Sequence, residues 1–543
     1  MKVPTHTGAI LQSTTFNLGD WLLASLPILT VLIPMLRFHW GGAKAGAVGW
    51  TVALLVAAFR FGAGWQVLAL AQLKGLLLTF FVLYITWAAL LLYRVTDEAG
   101  ALSAIGTGLP RLTPDRGMQA LLLGWIFGAF LQGVSGFGVP VAIVAPLLVG
   151  LGFPPVAAVV IASVGHSWAV TFGSLGSSFY ALIAATGRSG EELAPWSAAM
   201  LGLACLGCGT GTLWAAGGRR TLRKGLAPLL AIGSVMAGSQ FLAVTHGLWA
   251  IGGMVGGLAG LAAGVAWARW RARGEHGSAG LTDQVPDTPA ESDSLSKSMS
   301  LGWALSPYAV LVAIVLAAQL IPPVHDFLGQ VVIRVEFPEL TTARGWMTPA
   351  GTGRTINVFG HAGALLTYAA IITYALFHQQ GRYAPSTVRR IVQTVVQKAT
   401  LSSLGIAAMV GMAVTMEHAG MTHLLADGVA RVAGRAFPLV APFIGALGAF
   451  MTGSNTNSNV VFGGMQQHVA TLVGLSPLII LAAQTTGGAV GSMFAPAKVI
   501  VGCSTVELGG KEGPVLRSVM RYGLVIVAAS ALATGAAAYS SLR

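Results

Sequence analysis

Six consecutive residues, Ser454-Asn455-Thr456-Asn457-Ser458-Asn459, each carry a hydrogen-bonding side chain, and they stand between apolar runs. Small residues such as Ser and Gly also serve close helix packing, but packing has no use for three asparagines, so the segment reads as a binding site. The oxygens of Ser454, Asn455 and Thr456 suit a hard cation such as sodium. A helix starting nearby would offer free N–H groups and partial positive charge to a carboxylate. All 18 Asp and Glu fall in expected loops or near span ends. The ionisable candidates at membrane depth are therefore His166, His361, His468 and Lys498, and such groups are functional hypotheses by default. His166 titrates in a range that suits proton carriage; a core histidine bonded to a backbone carbonyl is the structural alternative. Lys498, two residues after Pro496, would either attract an anion or snorkel to the cytoplasmic interface. Arg354 and His361 border an expected span at 357–377, as an anion's entrance charges or as ordinary loop residues.

The polar segment belongs to a duplication. Gly128-Ala129-Phe130-Leu131-Gln132-Gly133 returns as Gly448-Ala449-Phe450-Met451-Thr452-Gly453, each followed by a small, polar, helix-poor stretch. In the first copy that stretch is Val134-Ser135-Gly136-Phe137-Gly138-Val139-Pro140, and in the second it is Ser454 to Asn459. Each copy continues through an apolar run to Val-Gly-Leu and a proline (Val149 to Pro154, Val473 to Pro477). Each closes on a second small-residue stretch, Thr171-Phe172-Gly173-Ser174-Leu175-Gly176-Ser177 and Thr485-Thr486-Gly487-Gly488-Ala489-Val490-Gly491-Ser492. Paired interruptions at corresponding places in two halves of a hydrophobic chain point to the binding site of a secondary transporter.

Composition sets the class of element that must position these residues. With 55% hydrophobic and 9% charged residues and a mean hydropathy of +0.74, the chain cannot cover a soluble surface. Apolar runs of about 20 residues recur along it, which is the length that crosses a bilayer. Met1 to Asn17 holds no apolar run of its own, so the first span is expected to act as an uncleaved insertion signal. The net charge of +13 is dispersed over short loops, which argues against nucleic acid. The clusters Arg219 to Lys224, Arg269 to Arg273 and Arg382 to Lys398 fall on one side under the positive-inside rule, which makes that side cytoplasmic. The same count gives the two repeats opposite orientations and leaves Arg60, Lys74 and Arg344 on the wrong side. Cys205 and Cys208 have redox spacing, but on a lipid-buried helix they read as small apolar residues. Gly133, Gly136 and Gly138 lack the βαβ setting of a dinucleotide loop, and neither paired acids nor a metal cluster is evident, so no enzyme or cofactor is expected.

The expected fold is an all-α polytopic membrane protein of about 12–16 membrane segments, with two inverted repeats that contain broken helices or re-entrant hairpins. Scaffold helices occupy 1–110, 189–273 and 301–436, transport repeats 111–188 and 437–510, a cytoplasmic linker 274–300, and a C-terminal helix 511–543. The site is expected at Gln132, Ser135, Gly136, Phe137, Gly138, Thr171, Ser174, Ser454, Asn455, Thr456, Asn457, Ser458, Asn459, Thr485 and Thr486.

These motifs resemble the lactate permeases, which take up lactate and glycolate with protons. The resemblance rests on Gly128 to Pro140, Val149 to Phe153 and Thr452 to Asn459, with Phe172-Gly173, Gly487-Gly488 and Gly510-Lys511-Glu512-Gly513 added, and it runs over most of the chain. It implies a plasma (inner) membrane transporter of a small 2-hydroxy monocarboxylate, coupled by proton symport with alternating access. This chain departs from the family pattern at four positions. Gln132 stands for a glutamate, Asn455 for an aspartate, His166 for an asparagine and Ser492 for a lysine. Without those acids His166 is the candidate proton carrier. Ser454-Asn455-Thr456 is also similar to a signature of sodium-coupled dicarboxylate symporters, so sodium coupling is the second reading and a passive anion channel the third. The implied partners are the carboxylate, the proton or sodium, and lipid, with a homodimer as one assembly the class allows.

Overall fold

The computed structural model describes residues 17–38, 40–108, 113–134, 138–276, 299–353, 355–508 and 512–540. The N-terminal part runs through α1 (Leu18–Phe38), α2 (Gly42–Phe59), α3 (Trp65–Glu98) and α4 (Ala101–Gly108). The first repeat begins with α5 (Arg116–Ala120), which passes through a π-helical segment, Leu121–Phe127, into α6 (Gly128–Val134). It continues with α7 (Val139–Gly150), α8 (Pro155–His166) and α9 (Ser177–Thr186). Next come α10 (Gly190–Thr245), which kinks at Gly217 and Gly218, and α11 (Gly252–His276). The second half holds α12 (Leu301–Leu320), α13 (Pro322–Leu328), α14 (Ala362–Gln379), α15 (Thr387–His418) and α16 (Met421–Ala433). The second repeat is α17 (Phe437–Thr452), α18 (Asn455–Leu472), α19 (Pro477–Gly491) and α20 (Pro496–Ser504), and α21 (Glu512–Ser540) closes the chain.

The duplication seen in the sequence is a duplication of elements. Each repeat is helix, break, helix, tight turn, helix, break, short helix. The tight turns use left-handed glycines, Gly152 (φ +81°) and Gly474 (φ +69°), and the next helix starts with proline in its first turn. In both repeats the first and third helices meet backbone to backbone. A Cβ on Gly165 would strike the Gly124 carbonyl, and one on Gly487 would strike the Pro442 carbonyl.

Among the described residues, seven helices are long and apolar enough to cross a membrane, and an eighth is counted if the pair Pro155–Ala169 and Ser174–Thr186, bent by 41°, is one span. The two most enclosed of these spans belong to the repeats. The apolar stretch of Arg116–Val134 is 94% buried and that of Pro477–Phe494 is 89% buried, against 28% for Gly42–Phe59. Around them α2, α3, α14 and α15 pack on one another, while α10 lies against α8 and α19 and so touches both repeats.

Three local expectations are corrected. Ser454 to Asn459 is not unwound: Ser454 caps α18, its Oγ accepting from the Asn457 N–H at 3.3 Å, and the asparagines form the first turns of the helix. Thr485 to Gly491 likewise completes α19, and only Ser492 to Ala495 interrupts the second repeat's last two helices. In the first repeat the corresponding break is longer, running from Ser167 through two 3₁₀ turns to Gly176. Finally, residues 332–357 are not helical but form a β-hairpin of short antiparallel ladders, Val332 pairing with Asn357, Glu336 with Thr352 and Leu340 with Thr348. Two basic residues on the wrong side of the charge count are explained here, since Asp20 accepts both Arg60, at 2.5 Å, and Arg344, at 3.3 Å. The cysteine pair is structural, both thiols being free and buried.

Candidate functional site

The two repeats meet through hydroxyls and amides that no single repeat could assemble. Thr171, in the first repeat's break, lies 3.1 Å from Thr485 Oγ1 on α19. Asn455, at the first position of α18, donates its Nδ2 to Thr171 Oγ1 at 3.1 Å and to Thr485 Oγ1 at 3.3 Å. Asn459 sits one turn on and donates to Thr485 Oγ1 at 2.9 Å and to the Ser178 carbonyl at 3.0 Å. Ser178 Oγ and Thr456 Oγ1 lie 3.1 Å apart. The i, i+4 spacing of Asn455 and Asn459 places both amides on the face of α18 that looks at α19 and α9. A Cβ on Gly488 would collide with Asn455 Oδ1, so this glycine makes room for the amide.

Behind the cluster is a fully buried amide pair that sequence reasoning did not single out. Gln484 donates to Ser458 Oγ at 3.0 Å and accepts a short hydrogen bond from Gln466, and Ser458 Oγ donates to the Gly445 carbonyl at 2.8 Å. The two glutamines lie 18 residues apart on different helices, so only helix-to-helix contact reveals the pair.

Five of the residues singled out from the sequence carry a buried polar atom without a partner among the described residues: Asn455 Oδ1, Asn457 Oδ1, Gln132 Oε1, Thr486 Oγ1 and His166 Nε2. Buried polar groups are normally satisfied, so the unmet oxygen of Asn455, whose amide nitrogen holds the junction, marks where a polar ligand would complete the bonding. Backbone strain gathers at the same place. Ser174 and Leu175 hold left-handed angles (φ +46° and +55°) beside Gly173, which packs against the Gln132 carbonyl.

Of the other expected residues, His166 is fully buried at the end of α8, with Nδ1 bonded to the Ala162 carbonyl at 2.7 Å. A carbonyl only accepts, so Nδ1 carries the proton and Nε2 is the open position. Lys498 does not snorkel. It is buried in the first turn of α20, donates to Ser492 Oγ at 3.0 Å, forms no ion pair among the described residues, and lies beside Gly138 at the start of α7. Ser492, its partner, follows Gly488 by four residues, about 6 Å along the helix axis. Of the three residues considered for sodium, Ser454 is engaged as a helix cap and Thr456 with Ser178, which leaves Asn455 Oδ1 open. His361 caps α14 and stacks on Tyr84, as an ordinary structural histidine does. Ser135, Gly136, Phe137 and Arg354 lie outside the described residues.

Comparison with known proteins adds to this geometry. The family model for L-lactate permease matches residues 20–540. The L-lactate permease of Bacillus subtilis (strain 168) is 28% identical over 552 residues, covering 94% of this chain and 95% of that protein. That of Escherichia coli (strain K12) is 27% identical over 540 residues, covering 95% and 96%. The glycolate permease GlcA of Escherichia coli (strain K12) is 26% identical over 541 residues, covering 95% of each. Among solved structures, the chain is similar to the YdaH transporter of Alcanivorax borkumensis, with a TM-score of 0.44 at 14% identity, covering 95% of this chain and 98% of that one.

Proposed function

The chain belongs to the L-lactate permease family and is a multi-pass cell-membrane protein, a transporter and not an enzyme, and from this premise we propose that it carries a small 2-hydroxy monocarboxylate, lactate or glycolate, by secondary active transport. The observation that supports this most is the junction of Thr171, Asn455, Asn459 and Thr485 with its unpartnered acceptors. The substrate's carboxylate would meet the Lys498 ammonium and the free N–H groups of Asn455 and Thr456 at the start of α18. Its 2-hydroxyl would donate to an orphan amide oxygen, Asn455 Oδ1 or Gln132 Oε1. Access from alternate sides would come from movement of repeats 111–188 and 437–510 against the surrounding helices.

Coupling in this reading is proton symport through His166, whose Nε2 is a buried proton acceptor without a partner among the described residues. A second reading is favoured by the carbonyl oxygens of Asn455, Asn457 and Gln132, because oxygens that lack a donor are what a sodium ion would satisfy. Radiolabelled L-lactate uptake into proteoliposomes under a pH gradient, a sodium gradient or neither tests the two. Accumulation under the pH gradient alone upholds proton coupling, accumulation under sodium alone replaces it, and no uptake in any condition sinks the lactate reading. His166→Gln is expected to lose accumulation while keeping lactate exchange; unchanged accumulation would return His166 to a purely structural role.

A further inference from the structure

Lys74 is the third basic residue that the charge count placed wrongly, and unlike Arg60 and Arg344 it forms no ion pair among the described residues. It lies about 14 Å along α3 from the start of that helix. An ammonium at such depth is retained where it faces water or a ligand. Lys74 faces a cavity of about 570 Å³, within the range of about 300–1,000 Å³ typical of small-molecule sites. One wall is Lys74 of α3 with Glu417 and His418 at the end of α15; the opposite wall is Thr186 of α9 with Val461 and Gly464 of α18. Helices α9 and α18 are the two that carry Ser178, Asn455 and Asn459. The cavity therefore lies directly along the pair of helices that hold the polar junction, between them and the outer helices α3 and α15.

We propose that this cavity is the entry chamber for the substrate anion and that Lys74 is a second carboxylate-binding position, outside the junction. The inference rests on the carboxylate-transport reading given above. The ammonium supplies the attraction, and the hydrophobic and small walls opposite accept a short apolar tail without a specific pocket. Glu417, exposed on the same wall, limits how tightly the anion is held, so the chamber loads the junction instead of trapping its cargo. His418 contributes a fixed neighbour, its Nδ1 bonded to the Val414 carbonyl at 2.9 Å.

The test uses Lys74→Cys in the full chain, whose native thiols, Cys205, Cys208 and Cys503, are buried. Reaction in detergent with 2-aminoethyl methanethiosulfonate restores a positive charge, and reaction with the 2-sulfonatoethyl reagent installs a negative one, so the same folded protein is compared before and after. Lys74→Cys is expected to raise the KM for L-lactate about tenfold with maximal rate within about twofold, as expected when a charge acts on capture. The cationic reagent should return KM toward the wild-type value, the anionic reagent should raise it further, and L-lactate should slow modification. A cysteine that fails to react, or a KM that ignores the sign of the added charge, overturns the proposal. The modification rate is read without transport: a wild-type protein that takes up no lactate sinks the transport reading, whereas lactate-slowed modification would still uphold an anion site at Lys74.

Discussion

The two repeats share one order of elements and divide the chemistry unequally. The second keeps its breaks short, so its asparagines ride on a regular helix and aim their amides by helical period. The first opens a break from Ser167 to Gly176 and contributes two hydroxyls, Thr171 and Ser178, a carbonyl and strained backbone, with Gln132 and His166 as isolated polar groups. Duplication thus preserves a scaffold of helices and breaks while each copy specialises, one as an array of side-chain donors and the other as a receptive, irregular surface.

The largest test of that division is Asn455. Asn455→Ala removes the amide that ties Thr171 to Thr485 across the two repeats, leaving Thr485 only Asn459 and Thr171; with two hydrogen bonds lost at about 1–1.5 kcal/mol each, uptake should fall about 100-fold. Gly488→Ala should do the same by displacing the amide, with protein still monodisperse in detergent. Full uptake by both variants would remove the second repeat's claim to the site. Lys498→Gln comes next, with an expected rise in KM of about tenfold, read from initial uptake rates, since a buried ammonium would be lost from the carboxylate's path. The smallest effect belongs to the first repeat: Thr171→Val should cost about fivefold and Thr171→Ser almost nothing, since only the hydroxyl is used. A loss at Thr171→Val as large as at Asn455→Ala would erase the asymmetry.

Much of this arrangement is legible in the residues. Apolar runs, turn prolines and recurring glycines locate the repeats, and the Asn-rich hexapeptide marks the helix start that faces the junction. What local sequence cannot show is whether polar residues unwind a helix or ride on one. A single serine cap keeps Ser454 to Asn459 helical, and that depends on hydroxyl geometry. The Gln466–Gln484 pair and the chamber beside Lys74 arise between helices far apart in the chain, so no window of sequence contains them. The β-hairpin at 332–357 escapes for a different reason, since its ladders are each two residues long and show no alternating period.

The backbone-to-backbone seams at Gly165 and Gly487 carry a spectroscopic consequence. Helices that touch main chain to main chain cannot slide past one another without collision, so each repeat is expected to move as one piece. Two spin labels, one on α17 and one on α19, should report a single, narrow distance whatever gradient or substrate is present. A pair set across the chamber, one on α15 and one on α18, should report two.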